Sequence, residues 1–444
     1  MTRIALLTVA YPYLPGEQFI EEEIRYWARQ PGVELVVMPM SADGAPRTMP
    51  GNVRLDLSLA RGRQNAPSVR YFMQALFSGV LWRELAYVLR HKGPSPYCLA
   101  RAGYASAKLL HYRDALLQPL QRDGGFHLLY CYWNDTPSLA AALLKRQGKL
   151  ARLVTRIHNY ELYECQAPRH YMPLKRQFIG EFDRFFPISD QGARYLQQTF
   201  GVPAGKTAVS RLGVSLPDSH HDSIPGLLPE ASSSGTLQLV SISYCVDAKR
   251  VDVIIDGVAQ FAAQHPELEV CWTHIGDGPL HAGLRRHAAS RMALPNLRWQ
   301  MPGQMANADV QRYLGSVPVD LLLNASKNEG VPVSIMEAMS HGIPAIAPDT
   351  GGLRELVSDD CGRLLRSNPG PDELAAAISD LLPELKQQAI RCRARDKVCQ
   401  DYCAAHNYPM FISEVQQIAL ARSQAGSRVL PNQQAHAHSS TLPD

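Results

Sequence analysis

Residues 319–357, VDLLLNASKNEGVPVSIMEAMSHGIPAIAPDTGGLRELV, decide the fold of this 444-residue chain. The run 319–324 is short and mostly apolar, as suits a buried parallel strand. Ser326-Lys327-Asn328-Glu329-Gly330 is polar loop chemistry with a glycine for a tight turn. Pro332 fits the first position of a helix, because its missing N–H would have had no intrahelical partner there. The pattern therefore predicts a helix over 333–340, stopped by Gly342. The amides of Gly330, Val331, Val333 and Ser334 then gather at a helix N-terminus, where orphan N–H groups and the macrodipole attract an anion such as a diphosphate. Glu337 falls in the second turn between Met336 and Ala338, on a helix too apolar to be wholly solvated, so its carboxylate is expected to have a partner. Residues 342–348 read as a further buried strand, and Thr350-Gly351-Gly352 as a second tight loop opening a short helix. Two glycine-bearing loops at the carboxyl ends of adjacent strands define a ligand crevice in an open α/β sheet. Taken singly, the two glutamates read equally well as solvated helix-end charges, and the glycines as ordinary caps.

Taken together, Glu329-Gly330, Pro332, Glu337-Ala338-Met339, Gly342, Pro344 and Thr350-Gly351-Gly352 resemble the E-x7-E signature block of retaining family-4 glycosyltransferases, with the internal spacing intact over the whole stretch. The resemblance implies an α/β protein of the GT-B fold, with two Rossmann-like doubly wound domains facing a central cleft. It implies that Glu337 holds the ribose hydroxyls of a nucleotide sugar, that Glu329 lies beside the sugar, and that Gly330 and Val331 offer amides to the donor. It also implies no divalent metal and no cofactor beyond the nucleotide sugar as co-substrate.

Composition agrees with a globular protein of this size. A chain of this length exceeds what one core usually serves, so two domains are expected. Hydrophobic residues make up 45% and charged residues 19%, and the formal net charge of +4 is too small to argue for nucleic acid as a partner. The nine cysteines are scattered and form no CxxC pair, which reads as reduced core thiols in a cytosolic protein. Cys399, Cys403 and His406 share a helical spacing that suits metal ligands, without a fourth ligand in view. The apolar run after Arg3 is short and lacks a small-residue cleavage site, so it reads as a first strand rather than a signal peptide. No run approaches the roughly 20 apolar residues of a membrane span. The expectation is a cytoplasmic protein, peripheral at most on the inner face of the membrane.

The rest of the chain fits around the opening block. Strand-like runs at 4–10 and 34–40 flank a helix beginning near Glu17. Gly16, in the loop between, matches a position where the family often carries a glycine pair near the donor phosphates or acceptor. Between 61 and 113, nine Arg and Lys residues face a single acid, Glu84, and are interleaved with Phe77, Trp82 and other aromatic residues. Helical periodicity over 69–89 predicts an amphipathic helix with basic flanks, suited to an anionic membrane surface or a lipid-diphosphate acceptor. Asp135 reads as the cap of a helix through Gln147. His158 follows the strand 152–157, and in family-4 enzymes a histidine at the corresponding place touches the donor sugar. Residues 213–236, rich in Ser, Pro, His and Asp, read as the interdomain linker. Family-4 enzymes typically carry Gly-Arg-Leu after the next strand and then a lysine, whose cations neutralise the donor diphosphate. Here Ser243-Tyr244-Cys245 replaces the first three and Lys249 is kept, leaving Arg250 as the candidate second cation. Gly276-Asp277-Gly278-Pro279 reads as a turn beside the nucleotide base.

This reading divides the chain into a Rossmann-like acceptor domain (1–212), a linker (213–236), a Rossmann-like nucleotide-sugar domain (237–395), a helix returning to the first domain (396–422) and a disordered tail (423–444). It describes a retaining, metal-independent glycosyltransferase of polysaccharide or lipid-linked glycan assembly. Glu329, His158 and Lys249 are its catalytic candidates. Gly16, Lys249, Arg250, Gly330, Val331 and Glu337 are its donor-binding candidates. The rival readings are a nucleotide-sugar epimerase of the same fold and a non-catalytic scaffold subunit, the latter suggested by Tyr244.

Overall fold

The computed structural model describes residues 1–14, 16–61, 67–217 and 235–421. Most of the expected linker and the whole of the expected tail lie outside these residues. Among the described residues twelve strands form two six-stranded sheets. The first holds β1 (Thr2–Thr8), β2 (Val33–Pro39), β3 (Arg54–Leu55), β4 (Leu128–Cys131), β5 (Leu153–Ile157) and β6 (Arg184–Pro187). The second holds β7 (Thr236–Ile242), β8 (Glu269–Ile275), β9 (Leu297–Gly303), β10 (Leu321–Leu323), β11 (Ala345–Pro348) and β12 (Gly362–Leu365). All pairings are parallel.

The first sheet runs β3-β2-β1-β4-β5-β6 and the second β12-β11-β10-β7-β8-β9. Counting the strands of the second sheet from β7 gives the same order, that of a doubly wound Rossmann fold. Central strands such as β4, β5, β10 and β11 are buried along their whole length, as a parallel sheet covered by helices on both faces requires. The strand order of each sheet reverses at one place, between β1 and β4 and between β7 and β10. The loops leaving those four strands therefore open toward a shared crevice.

The two halves are joined by more than chain continuity. One apolar cluster runs from Ile188, Leu212 and Val214 to Val331, Met336 and Leu353. The helix Ala404–Leu420 packs Tyr408, Phe411, Ile412 and Val415 against Trp27, Tyr130 and Phe186 of the first sheet's core. Its start crosses the other interdomain passage so closely that a Cβ on Gly213 would lie 2.5 Å from Ala404 Cα, so only glycine fits there.

Three local expectations need correction. The single helix predicted over 69–89 is two helices, Val69–Leu76 and Gly79–His91. Ser78 breaks it, accepting a capping hydrogen bond from Leu81 N while donating to Ala75 O at 2.8 Å, the usual use of serine before a new helix. Glu84, the lone acid of that basic region, is buried, with Oε1 accepting from Tyr171 Oη at 2.7 Å and Leu174 N at 2.8 Å. Asp135 stands at the N-cap position of the helix Thr136–Arg146 but makes no capping hydrogen bond. Cys399, Cys403 and His406 form no metal-ligand group, and none is found among the described residues.

Candidate functional site

A cleft of about 1680 Å³ opens between the two sheets. It is lined by the loops after β1 (Gly16 to Phe19), β4 (Trp133), β5 (His158 to Tyr160), β7 (Ser243, Tyr244, Lys249) and β10 (Glu329 to Ser334). Topology explains the location, since these loops leave strands at and beside the two switch points.

The second domain supplies a cradle of backbone amides. The helix Val333–Ser340 begins after Pro332, which takes the N-cap position, one place earlier than the proline preference suggests. Gly330, Val331, Val333 and Ser334 line the cleft, and the amides of a first helical turn have no intrahelical acceptor. The Thr350-Gly351-Gly352 loop packs directly beneath. Gly351 has φ +53°, and a Cβ there would stand 1.8 Å from Glu329 O, while Gly352 N donates to Gly330 O at 2.8 Å. The glycine pair thus shapes the Glu329–Gly330 turn from behind, which only a residue without a side chain can do.

Lys249 and Glu329 meet across this cradle, with Nζ and Oε1 2.5 Å apart. Lys327 N donates to Ala248 O at 2.8 Å, so the loops after β7 and β10 are tied together behind that pair. Glu337 is buried, accepts from Asn307 Nδ2 at 2.6 Å, and has its pKa pushed up to about 7 by burial. This is the partner the apolar helix called for, and it comes from the helix Asn307–Ser316.

Arg250 does not join them. It sits at φ +51° as the N-cap of the helix Val251–Gln264, its Nη2 donates to Pro369 O at 2.7 Å, and it is absent from the cleft lining. Its guanidinium is engaged by the Pro369 carbonyl rather than by the cradle. Tyr244 lines the cleft at 51% exposure, where the family pattern has arginine. Cys245 is buried with Sγ 3.4 Å from His274 Nε2. The Gly276-Asp277-Gly278 turn packs on this loop: a Cβ on Gly276 would lie 1.8 Å from Ser243 O, and one on Gly278 2.8 Å from Cys245 O.

The first domain forms the opposite wall. Gly16 lines the cleft, and a Cβ there would meet only Ala10 Cβ at 4.0 Å, so the fold itself does not demand glycine. His158 is buried and packed by Tyr132 and Trp133, with ring centroids 5.0 and 4.4 Å away. Its Nδ1 lies 3.0 Å from Glu161 Oε1, which also accepts from His158 N at 2.8 Å. That bond to its imidazole, with the attraction between the two, holds the Glu161 carboxyl below the usual range despite its burial. Nε2 is buried without a hydrogen-bond partner. The walls meet where a Cβ on Gly330 would lie 3.0 Å from Ile188 Cδ1 and 3.9 Å from His158 C.

Sequence reasoning gave Glu17 little weight and did not single out Glu355, which ties the two domains together outside the cleft lining. Glu17, at φ +56°, folds its carboxylate back to accept from the amides of Val9, Ala10 and Tyr11 and from Trp133 Nε1 at 2.6 Å. Glu355 of the second domain accepts from Asp190 N at 2.9 Å and Gln191 N at 2.7 Å, the first amides of the helix Asp190–Phe200 in the first domain, with Arg211 Nη2 at 3.3 Å. Acid at a helix start is a recognisable signal, but this acid comes from another domain.

Comparison with known proteins agrees with this architecture. Residues 237–384 match the family model described as Glycosyl transferases group 1. Over 273 residues the chain is 29% identical to the "Putative colanic acid biosynthesis glycosyltransferase WcaL" of Salmonella typhimurium, covering 60% of this chain and 64% of that one. It is 24% identical over 293 residues to the "Amylovoran biosynthesis glycosyltransferase AmsK" of Erwinia amylovora, covering 65% and 68%. The match thus spans a little under two thirds of the WcaL chain. Anabaena Alr3699/HepE, solved in complex with UDP and glucose, superposes with a TM-score of 0.60 at 17% identity over 93% of this chain and 99% of that one. At that identity the likeness establishes the fold, which is GT-B.

Proposed function

We propose that this GT-B chain, whose residues 237–384 match the Glycosyl transferases group 1 model, is a retaining glycosyltransferase of polysaccharide or lipid-linked glycan assembly. It moves a hexose-type residue from a nucleoside-diphosphate sugar to an acceptor hydroxyl. The observation that carries the reading is the convergence of Lys249, Glu329, the Gly330–Ser334 amides and Glu337 on one wall of an interdomain cleft. The names of the WcaL and AmsK relatives, which speak of colanic acid and amylovoran biosynthesis, support the pathway class. UDP and glucose in the HepE complex support the donor class.

Each residue then has a role. Glu337 accepts from the ribose hydroxyls. The diphosphate lies against the cradle amides and Lys249, which stabilise the negative charge that grows as the leaving group departs, without a divalent metal. Glu329, released from Lys249 when the phosphates arrive, takes sugar hydroxyls, and His158 meets the sugar from the other domain. The bond from C1 to the phosphate oxygen breaks with its electron pair leaving on the diphosphate. A bond from C1 to the acceptor oxygen forms on the same face, and the acceptor proton passes to the departing phosphate. Closure of the two walls excludes water and limits donor hydrolysis.

The surface of the first domain favours a site of action at the inner face of a membrane. Val69, Phe77, Trp82 and Leu89 are 77, 85, 59 and 55% exposed, and Arg70, Arg83 and Arg90 lie on the same two helices. Arginine beside exposed aromatic and aliphatic side chains suits an anionic lipid surface. Among the described residues no helix is long and apolar enough to cross a membrane.

Melting of the protein and its Glu337→Ala variant against a panel of nucleotides and nucleotide sugars tests the transferase reading. A ligand at about 100 times its dissociation constant adds about 2.7 kcal/mol to the native state. The expected result is one nucleotide sugar that stabilises the parent and does much less for the variant. If both proteins fold and none shifts either, the scaffold reading suggested by Tyr244 replaces this one.

A further inference from the structure

We propose that Trp133 and Tyr160 form a binding platform for a neutral sugar ring, separate from the nucleotide and phosphate sites across the cleft. Both residues line the cleft on the first domain. Their ring centroids are 5.3 Å apart with 40° between the planes, and Tyr160 remains 58% exposed. An exposed aromatic pair inside a concave site offers apolar faces to a ligand that is itself apolar on one face and polar at its edges. A pyranose ring, with axial C–H groups on its faces and hydroxyls around its rim, has that character.

The platform is built in advance. Trp133 Nε1 donates to Glu17 Oε1 at 2.6 Å, and three backbone amides hold the same carboxylate. Phe19 meets the indole edge-on at 5.9 Å and His158 packs 4.4 Å from it. Fixing an aromatic ring before the ligand arrives lowers the ordering entropy of binding.

Beside the platform stand two acceptors without partners. His158 Nε2 and Asn159 Oδ1 are both buried atoms with no hydrogen bond. With Nδ1–H donating to Glu161, Nε2 presents a lone pair whenever the imidazole is neutral. Buried polar atoms in native proteins rarely stay unpaired, and the cleft these two residues line is where water or a ligand hydroxyl pairs with them. A hydroxyl of the platform ring donates to Asn159 Oδ1, while His158 Nε2 faces the donor sugar of the proposed reaction.

Charge separates this wall from the other. Among the described cleft residues of the first domain Arg25 alone is cationic, and it pairs with Glu21 and Glu22. A diphosphate therefore belongs with Lys249 and the cradle amides, and a neutral ring with Trp133 and Tyr160. The walls meet at Gly330 and His158, so a ring on the platform lies next to the sugar end of a cradled donor. The ring is assigned to the acceptor on the strength of the transferase reading alone.

Indole N–H resonances of the full-length protein, labelled with nitrogen-15 and assigned with Trp133→Phe, provide the test. Methyl glycosides of glucose, galactose, mannose and fucose are titrated without nucleotide and then with saturating UDP or GDP. The Trp133 signal is expected to move with at least one glycoside, and to keep moving when nucleotide is present. Tyr160→Ala, a change at an exposed position, should weaken that response by about tenfold. The proposal is overturned if no glycoside moves Trp133, if nucleotide alone moves it and abolishes the glycoside response, as a base stacked on the platform would, or if Tyr160→Ala leaves the affinity unchanged. Failure of the transferase reading shows separately, as nucleotide sugars that never stabilise the fold.

Discussion

Glu337 couples burial to protonation at the scale of one residue. Burial raises its folded-state pKa from 4.5 to about 7, so the folded protein holds this proton more tightly than the unfolded chain does. The resulting stability is complete below the unfolded value and is lost as pH rises through the folded one, a difference of roughly 3 kcal/mol. Glu337→Gln, which keeps an acceptor for Asn307, should remove that part of the pH dependence of melting. If Glu337 takes the ribose as proposed, hydroxyls donating to its carboxylate favour the ionised form. Nucleotide stabilisation of the parent should therefore strengthen as pH rises through 7, and that of the variant should not. Lys249 and Arg250 divide differently. Lys249→Ala should abolish the nucleotide diphosphate shift, because it removes the cation facing the cradle. Arg250→Ala should lower the melting temperature through the lost bond to Pro369, yet leave the shift in place. Loss of the shift in Arg250→Ala would put the guanidinium back in the phosphate site.

Loops and helix ends do the work at the scale of elements. The helix Asp190–Phe200 has its first amides covered by Glu355 from the opposite domain, and Arg211 of the first domain completes the contact. A carboxylate on a helix N-terminus makes charge-assisted hydrogen bonds worth more than a neutral cap. The same bonds tie the second domain to the first. Glu355→Gln should lower stability by about 2 kcal/mol and shift the solution scattering profile toward a more open arrangement. An unchanged profile would make the contact a local cap only. The break at Ser78 acts similarly on the basic region, turning one expected helix into two that expose Phe77 between them.

The whole molecule presents a basic, aromatic flank on one domain and a cradle with an apolar seam on the other. If the flank docks on a bilayer, binding to vesicles containing anionic lipid should fall when Phe77 and Trp82 are both replaced by Ser. It should also weaken with added salt, as contacts between Arg side chains and headgroups do. Vesicle binding that ignores both changes, or an absence of binding at low salt, would count against a membrane role for this face.

What could be read from the chain were the features that short-range chemistry settles. The strand, loop and helix of residues 319–357 announce themselves by apolar runs, glycines and a proline within a few residues of one another, and two such halves imply a cleft at the switch points. The pairing of Lys249 with Glu329 across 80 positions, the seat of Trp133 on Glu17 across 116 and the reach of Glu355 to Asp190 across 165 carry no local signal. A carboxylate next to an aromatic residue looks the same in sequence whether it is solvated or clasped. The bond of Arg250 to Pro369 was equally hidden, because a left-handed backbone at an arginine is a consequence of how its loop closes. Packing between distant segments decided those contacts, since only the assembled fold determines which buried donors and acceptors are left for one another.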